Sequence, residues 1–236
     1  MNRMFKIGVA ALALAAVAPA FANDDAAAER EAVGWTPVAI GIATPVQLPW
    51  GLNRWDVYGL DLNVLYSDAP RVYGLDIGGL AAVVRDDMMG LQISGLFNFN
   101  LKDVYGMRVT LGLNLSRGNT YGWDTGLIAF RDSCYGVDIE FLGAAQREMV
   151  GLQIGGLANV SSVGSCGLTI AGLTNIAKSA RGCQIAMAFN MTEELRGCQI
   201  GLVNYTEICP NGFQIGLVNI VMQNKLKVLP IINGYY

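Results

Sequence analysis

Gly197-Cys-Gln-Ile-Gly-Leu-Val-Asn204 is followed, after seven connecting residues, by Gly212-Phe-Gln-Ile-Gly-Leu-Val-Asn219. One phrase occurs twice, fifteen residues apart, and a looser form of it runs back to Gly59. The leading glycines are Gly59, Gly74, Gly90, Gly106, Gly122, Gly136, Gly151, Gly167, Gly182, Gly197 and Gly212, separated by 14 to 16 residues. A spacing so regular over eleven units marks a repeat architecture.

With each unit numbered from its glycine, position 2 is apolar in nearly every copy and position 4 is Ile, Leu or Val in all but Thr125. Position 3, between them, is polar throughout: Asp61, Asp76, Gln92, Arg108, Asp124, Asp138, Gln153, Thr169, Gln184, Gln199 and Gln214. Period-two alternation predicts a β-strand with one buried face. The connectors are five to seven residues long, too short for a helix.

The expected fold is therefore all-β: a β-solenoid of about eleven coils of 15–16 residues. On the rule that apolar residues face inward, positions 2, 4 and 6 form the core. Leu152, Ile154, Ile170, Ile185, Ile200 and Ile215 represent it, while Gln153, Gln184, Gln199 and Gln214 form an outward ladder. On this reading Ile200→Asp is severely destabilising and Gln199→Ala nearly neutral. Asn190, Asn204 and Asn219, at position 8 or 9, belong at a corner, where their amides reach turn backbone and the next coil.

The alternative is an up-and-down outer-membrane β-barrel with a transport or anchoring role. Tyr105, Met107, Val109, Leu111, Leu113 and Leu115 alternate with Gly106, Arg108, Thr110, Gly112 and Asn114 as a lipid face alternates with a lumen face. Tyr58, Tyr66 and Tyr236 would suit aromatic girdles. Such a barrel needs short turns alternating with long loops and strands of ~9–11 residues. The connectors show no two-unit rhythm and several strands are shorter, which favours the solenoid.

The rest of the chain frames the repeats. Met1–Ala22 reads as a signal peptide: Arg3 and Lys6 precede the apolar run Ile7–Ala18, and Ala20-Phe21-Ala22 is a small-x-small cleavage site. Residues 23–34 read as a flexible linker and 35–56, with Pro37, Pro45 and Pro49, as an extended segment capping the first coil. The β-repeat domain is 57–226, and 227–236 form a C-terminal cap. Without Arg3 and Lys6 the chain carries 14 basic and 19 acidic side chains, a net −5, which does not suit nucleic acid.

The phrase Gly-Leu-Gln-Ile-Gly-Leu-Val-Asn resembles a repeat family of bacterial exported, surface-associated proteins. The similarity rests on Gly151–Ile154, Gly182–Ile185, Gly197–Asn204 and Gly212–Asn219, with Trp55–Leu60 at the entrance and Leu229–Asn233 at the exit. The early units depart from it, with Asp in place of Gln and no closing Asn in 122–129. It implies an envelope or cell-surface location and carries no enzymatic assignment.

No histidine is present, which removes the commonest general base and transition-metal ligand. Asp61 with Asp76, and Asp124 with Asp138, are column neighbours and raise the question of a carbohydrate-active pair or a calcium site. A solvated ladder face explains them more simply. Cys183 and Cys198 share position 2 of adjacent units and are read as core-facing thiols, in a chain whose five cysteines give no disulfide framework. Cys166 has no partner to make it a nucleophile. The expectation is a non-enzymatic structural or binding surface without cofactor or metal, in the outer membrane, the periplasm or at the cell surface. Envelope components or surface glycans are the candidate partners; Tyr58, Tyr73, Tyr105, Tyr121 and Tyr135 would supply the aromatic row that glycan binding asks for.

Overall fold

Like pairs with like along the whole repeat. In the computed structural model, which describes residues 32–43, 46–50 and 54–235, Gly59 lies opposite Gly74, Gly74 opposite Gly90, and Gly90 opposite Gly106. Gly151, Gly167, Gly182, Gly197 and Gly212 continue the same column. All of these pairings are parallel, so each repeat is one turn of a β-solenoid. An up-and-down barrel, whose neighbouring strands run antiparallel, is ruled out.

The strands are β1 (Gly34–Ala43), β2 (Val46–Leu48), β3 (Trp55–Ala69), β4 (Val72–Gly78), β5 (Ala81–Val84), β6 (Met88–Ser94), β7 (Phe97–Asn100) and β8 (Val104–Thr110). They continue as β9 (Leu113–Ser116), β10 (Thr120–Phe130), β11 (Ser133–Gly155), β12 (Ala158–Ala171), β13 (Thr174–Ala186), β14 (Phe189–Ile200), β15 (Val203–Val221) and β16 (Val228–Gly234). Each coil has a first side carrying the position-1 glycine and positions 2–5, and a second side carrying the asparagine. β4, β6 and β8 stack on the first side, and β5, β7 and β9 on the second. From β10 onward single long strands run around the bend.

Glycine makes the first bend. Gly106 has φ 137°, a region that L side chains avoid, and a Cβ there would stand 2.0 Å from the carbonyl oxygen of Gly90. The backbones of successive coils approach so closely in this column that a side chain has no room.

The period and the solenoid hold, but the two faces are the reverse of the expectation. Gln153, Gln184, Gln199 and Gln214 are buried, and so is every other residue at position 3. Leu152, Ile154, Ile170 and Ile185 are only half-buried, while Ile200 and Ile215 are 37% and 40% exposed. The outward isoleucines are shielded by column neighbours in adjacent coils, not by a core. The interior is a set of stacked columns, most of them polar. The apolar interior gathers in two patches, Val57, Val72, Val84, Met88 and Val104 near the start and Ala180, Leu195, Cys209 and Val221 near the end, with single residues such as Cys134 and Met149 between them.

Both ends are occupied. β1 pairs parallel with β3, and its register slips between Thr36 and Val38, where Pro37, lacking an N–H, sits in the bulge. β2 turns back antiparallel on β1. At the other end β16 pairs antiparallel with β15, placing Asn233 opposite Gln214. The signal-peptide reading of Met1–Ala22, most of the linker reading and Pro45 lie outside the described residues.

Candidate functional surface and the sealed polar interior

The interior columns bond along the rod. Gln199 Nε2 donates to Gln184 Oε1 at 3.0 Å, and Gln214 Nε2 to Gln199 Oε1 at 2.8 Å. The asparagines form a second ladder: Asn175 Nδ2 donates to Asn190 Oδ1 at 3.0 Å, Asn190 to Asn204 at 2.9 Å, and Asn204 to Asn219 at 2.8 Å. The same amide groups reach the backbone. Asn175, Asn190 and Asn204 each donate at 2.8 Å to the carbonyl of Ile185, Ile200 and Ile215 in the next coil. Those carbonyls sit where the chain turns from the first side to the second, so the corner role expected of Asn190, Asn204 and Asn219 is what the structure shows. Small residues make the space: a Cβ at Gly155 would stand 2.2 Å from Asn159 Oδ1.

The paired aspartates belong to this interior and are not a solvated face. Asp61 and Asp76 are fully buried. Ser67 Oγ lies 2.9 Å from Asp61 Oδ2 and 2.9 Å from Asp76 Oδ1. A hydroxyl has one hydrogen, so two such bonds require one carboxyl to hold a proton. Burial pushes Asp61 up to about 6. Burial and the neighbouring Asp61 push Asp76 up to about 7.

Farther along, Asp124 lies between two guanidinium groups. Arg108 Nη2 contacts its Oδ2, and Arg131 Nη1 donates to the same oxygen at 2.5 Å. Arg131 Nη2 donates to Asp138 Oδ1 at 2.7 Å, and Gln153 Nε2 to Asp138 Oδ2 at 2.9 Å. All four side chains are fully sealed from solvent, and burial raises the Asp138 carboxyl against the pull of Arg131. Burial opposes the charge on Arg131, but Asp124 and Asp138 outweigh it and hold the guanidinium protonated. Glu140, desolvated and facing Asp124 and Asp138, is pushed up to about 9 and is neutral at pH 7. Two arginines thus face two aspartates, and this pairing offsets the desolvation that a lone buried charge would suffer.

The sequence reading missed this cluster because it gave position 3 to solvent. The signal was present: Gln, Asp, Thr and Arg fill position 3, Lys never does, and no outward position from 2 to 10 carries an exposed charge. A carbohydrate-active pair is not formed, since no substrate reaches carboxyls sealed inside a coil. Among the described residues no group of His, Cys, Asp and Glu is placed to hold a metal.

Cys183 and Cys198 are bonded to each other, with Cα atoms 4.7 Å apart. Core-facing thiols are not what the structure shows, because position 2 faces outward and parallel pairing sets equivalent residues one strand spacing apart.

What the molecule presents outward is apolar. Positions 2 and 4 cover the first side. Leu96, Leu111, Leu157, Leu173 and Leu217 project from the bend, Leu111 83% exposed. Phe97, Phe189 and Val218 stand on the second side. Charge is confined to the third edge, the connectors. Between Gly59 and Val221 every partly exposed charged residue lies there, eight basic and eight acidic. They include the ion pairs Arg71–Asp86, Arg147–Asp132 and Arg196–Glu194.

Tyrosines border that edge. Tyr58 and Tyr73 stack with centroids 4.8 Å apart; Tyr105, Tyr121 and Tyr135 stack at 5.0 and 5.1 Å. The expected aromatic row exists, but its rings cover one another's faces. Comparison with protein families, with curated proteins and with solved structures finds no match to this chain.

Proposed function

We propose that this chain is a non-enzymatic, exported protein of the bacterial envelope whose working part is the apolar outer surface of the solenoid. The observation that carries the reading is the inversion of the coil. The hydrogen-bonding side chains at position 3 are buried inside, and two adjoining sides are left apolar. A contiguous apolar surface of this extent marks an interaction site. The Arg3-to-Ala22 pattern supports export, and the Cys183–Cys198 bridge accords with an oxidising compartment. The resemblance of the repeats to exported surface proteins points the same way. The ionisable groups that would serve an enzyme are sealed and mutually neutralised.

Glycan binding through the tyrosine row is the weaker reading, because a sugar stacks on a ring face and these faces are turned to each other. Envelope fractionation tests the proposal. Ile154→Ser with Ile170→Ser should leave the circular dichroism unchanged and shift the protein from the carbonate-resistant envelope fraction to the soluble one. Unchanged envelope retention would refute it.

A further inference from the structure

We infer that the occupant of the outer surface is lipid: the solenoid lies lengthwise in one leaflet of a membrane, its connector edge at the headgroups and its leucine bend toward the bilayer midplane. This rests on the reading of the outer surface as the working part.

Shape separates lipid from a second copy of the chain. Eleven coils at ~4.8 Å make a rod about 50 Å long. The first side, from Leu91 to Leu96, spans five residue steps, about 17 Å at ~3.3 Å per residue. One side therefore offers roughly 850 Å², about what one partner buries in a standard protein interface. Docking a second copy would cover one side and leave the other, together with Leu111, Leu157 and Leu173 at the bend, in water. A fluid acyl phase covers both sides and the bend at once.

Depth and chemistry agree. The ~17 Å side matches half of a ~30 Å hydrocarbon core. Backbone groups of the two apolar sides pair coil to coil in parallel ladders, as a surface facing lipid requires. The tyrosine columns lie between the charged edge and the apolar surface, the level at which tyrosine collects in membranes. Between Gly59 and Val221 the edge has no net charge, eight against eight, and the exposed Arg54, Lys225 and Lys227 lie at the two ends. Association is therefore driven by apolar burial and does not select anionic headgroups.

The test is flotation of the full chain with phosphatidylcholine vesicles at low and high salt. A variant with Trp35, Trp50 and Trp55 changed to Phe keeps Trp123, on the outward position 2 of its coil and 43% exposed, as reporter. The protein should float equally at both salt concentrations, and acyl-brominated lipid should quench Trp123 by at least about half. Leu157→Ser with Leu173→Ser should keep the fold and weaken vesicle binding about tenfold or more. Wild-type protein that stays off the vesicles, or floats only with anionic vesicles at low salt, overturns the lipid seat. If it stays off as a defined dimer while the leucine variant still loses envelope retention, the outer surface is a protein interface: the proposed function stands and the lipid occupant falls.

Discussion

Gln199 Nε2 and Gln184 Oε1 meet at 3.0 Å inside the coil, while Ile200, the next residue, is 37% exposed. That relationship reverses the mutational expectation drawn from alternation alone. Gln199→Ala strips Gln184 of a donor and Gln214 of an acceptor in a sealed interior. It should cost about 2 kcal/mol or more and lower Tm by ~5 °C. Ile200→Asp should stay folded in solution, with a change within about 1 kcal/mol. Thermal melts of the two variants check this; greater loss for Ile200→Asp would restore the apolar core.

The Asp61–Asp76 pair should make stability depend on pH. Both carboxyls keep their protons in the folded chain at pH values where the unfolded chain, with a usual value of 3.8, has lost them. Folding thus takes up protons between about pH 4 and pH 7, and stability falls as pH rises through that window. Asp76→Asn can donate to Ser67, which in turn donates to Asp61. It should flatten the decline and raise Tm at pH 8 by ~5 °C over wild type. Parallel Tm–pH curves for the two proteins would exclude the shared proton.

Backbone contact in the glycine column should tolerate no side chain. Gly106→Ala meets both a φ of 137° and an oxygen at 2.0 Å, and should cost about 3 kcal/mol or prevent folding. Gly164→Ala, in β12 with no positive φ and its nearest atom, the Ser179 carbonyl oxygen, 3.1 Å away, should cost less, about 1 kcal/mol. Denaturant titration of the pair separates the glycine column from a less crowded glycine of the same sheet.

Deleting residues 197–211 should leave a folded solenoid one coil shorter. Gly212 would take the place of Gly197 opposite Gly182, Gln214 that of Gln199 opposite Gln184, and Asn219 that of Asn204 opposite Asn190. β16 remains on the last coil. Stability in such arrays is roughly a sum over neighbours, so the loss should be partial. Circular dichroism and protease resistance report it; a protease-sensitive product would show that the coils are not interchangeable.

The sequence by itself determined the period and the strand assignment, placed the asparagines at a corner, and favoured in-register stacking of equivalent positions over a barrel. Each of these is written in one dimension: glycines recur every 14 to 16 residues, polarity alternates with period two, and connectors are too short for helices. Only the tertiary structure decided which face is inside. Alternation says that Gln199 and Ile200 point to opposite sides of a strand and is silent on which side is concave. Concavity is set where the chain bends, at the positive-φ glycines from Gly59 to Gly197, and at the turn whose carbonyls Asn190 and Asn204 capture. Once the path closes on the glutamine side, identical amides one strand spacing apart satisfy each other, and Arg108 and Arg131 neutralise Asp124 and Asp138. The polar column is thereby buried with most of its amides paired, while Gln153 Oε1, Gln184 Nε2 and Gln214 Oε1 find no partner. The apolar columns need a partner outside the chain, and the rule that apolar residues face inward has nothing to act on until that partner is counted.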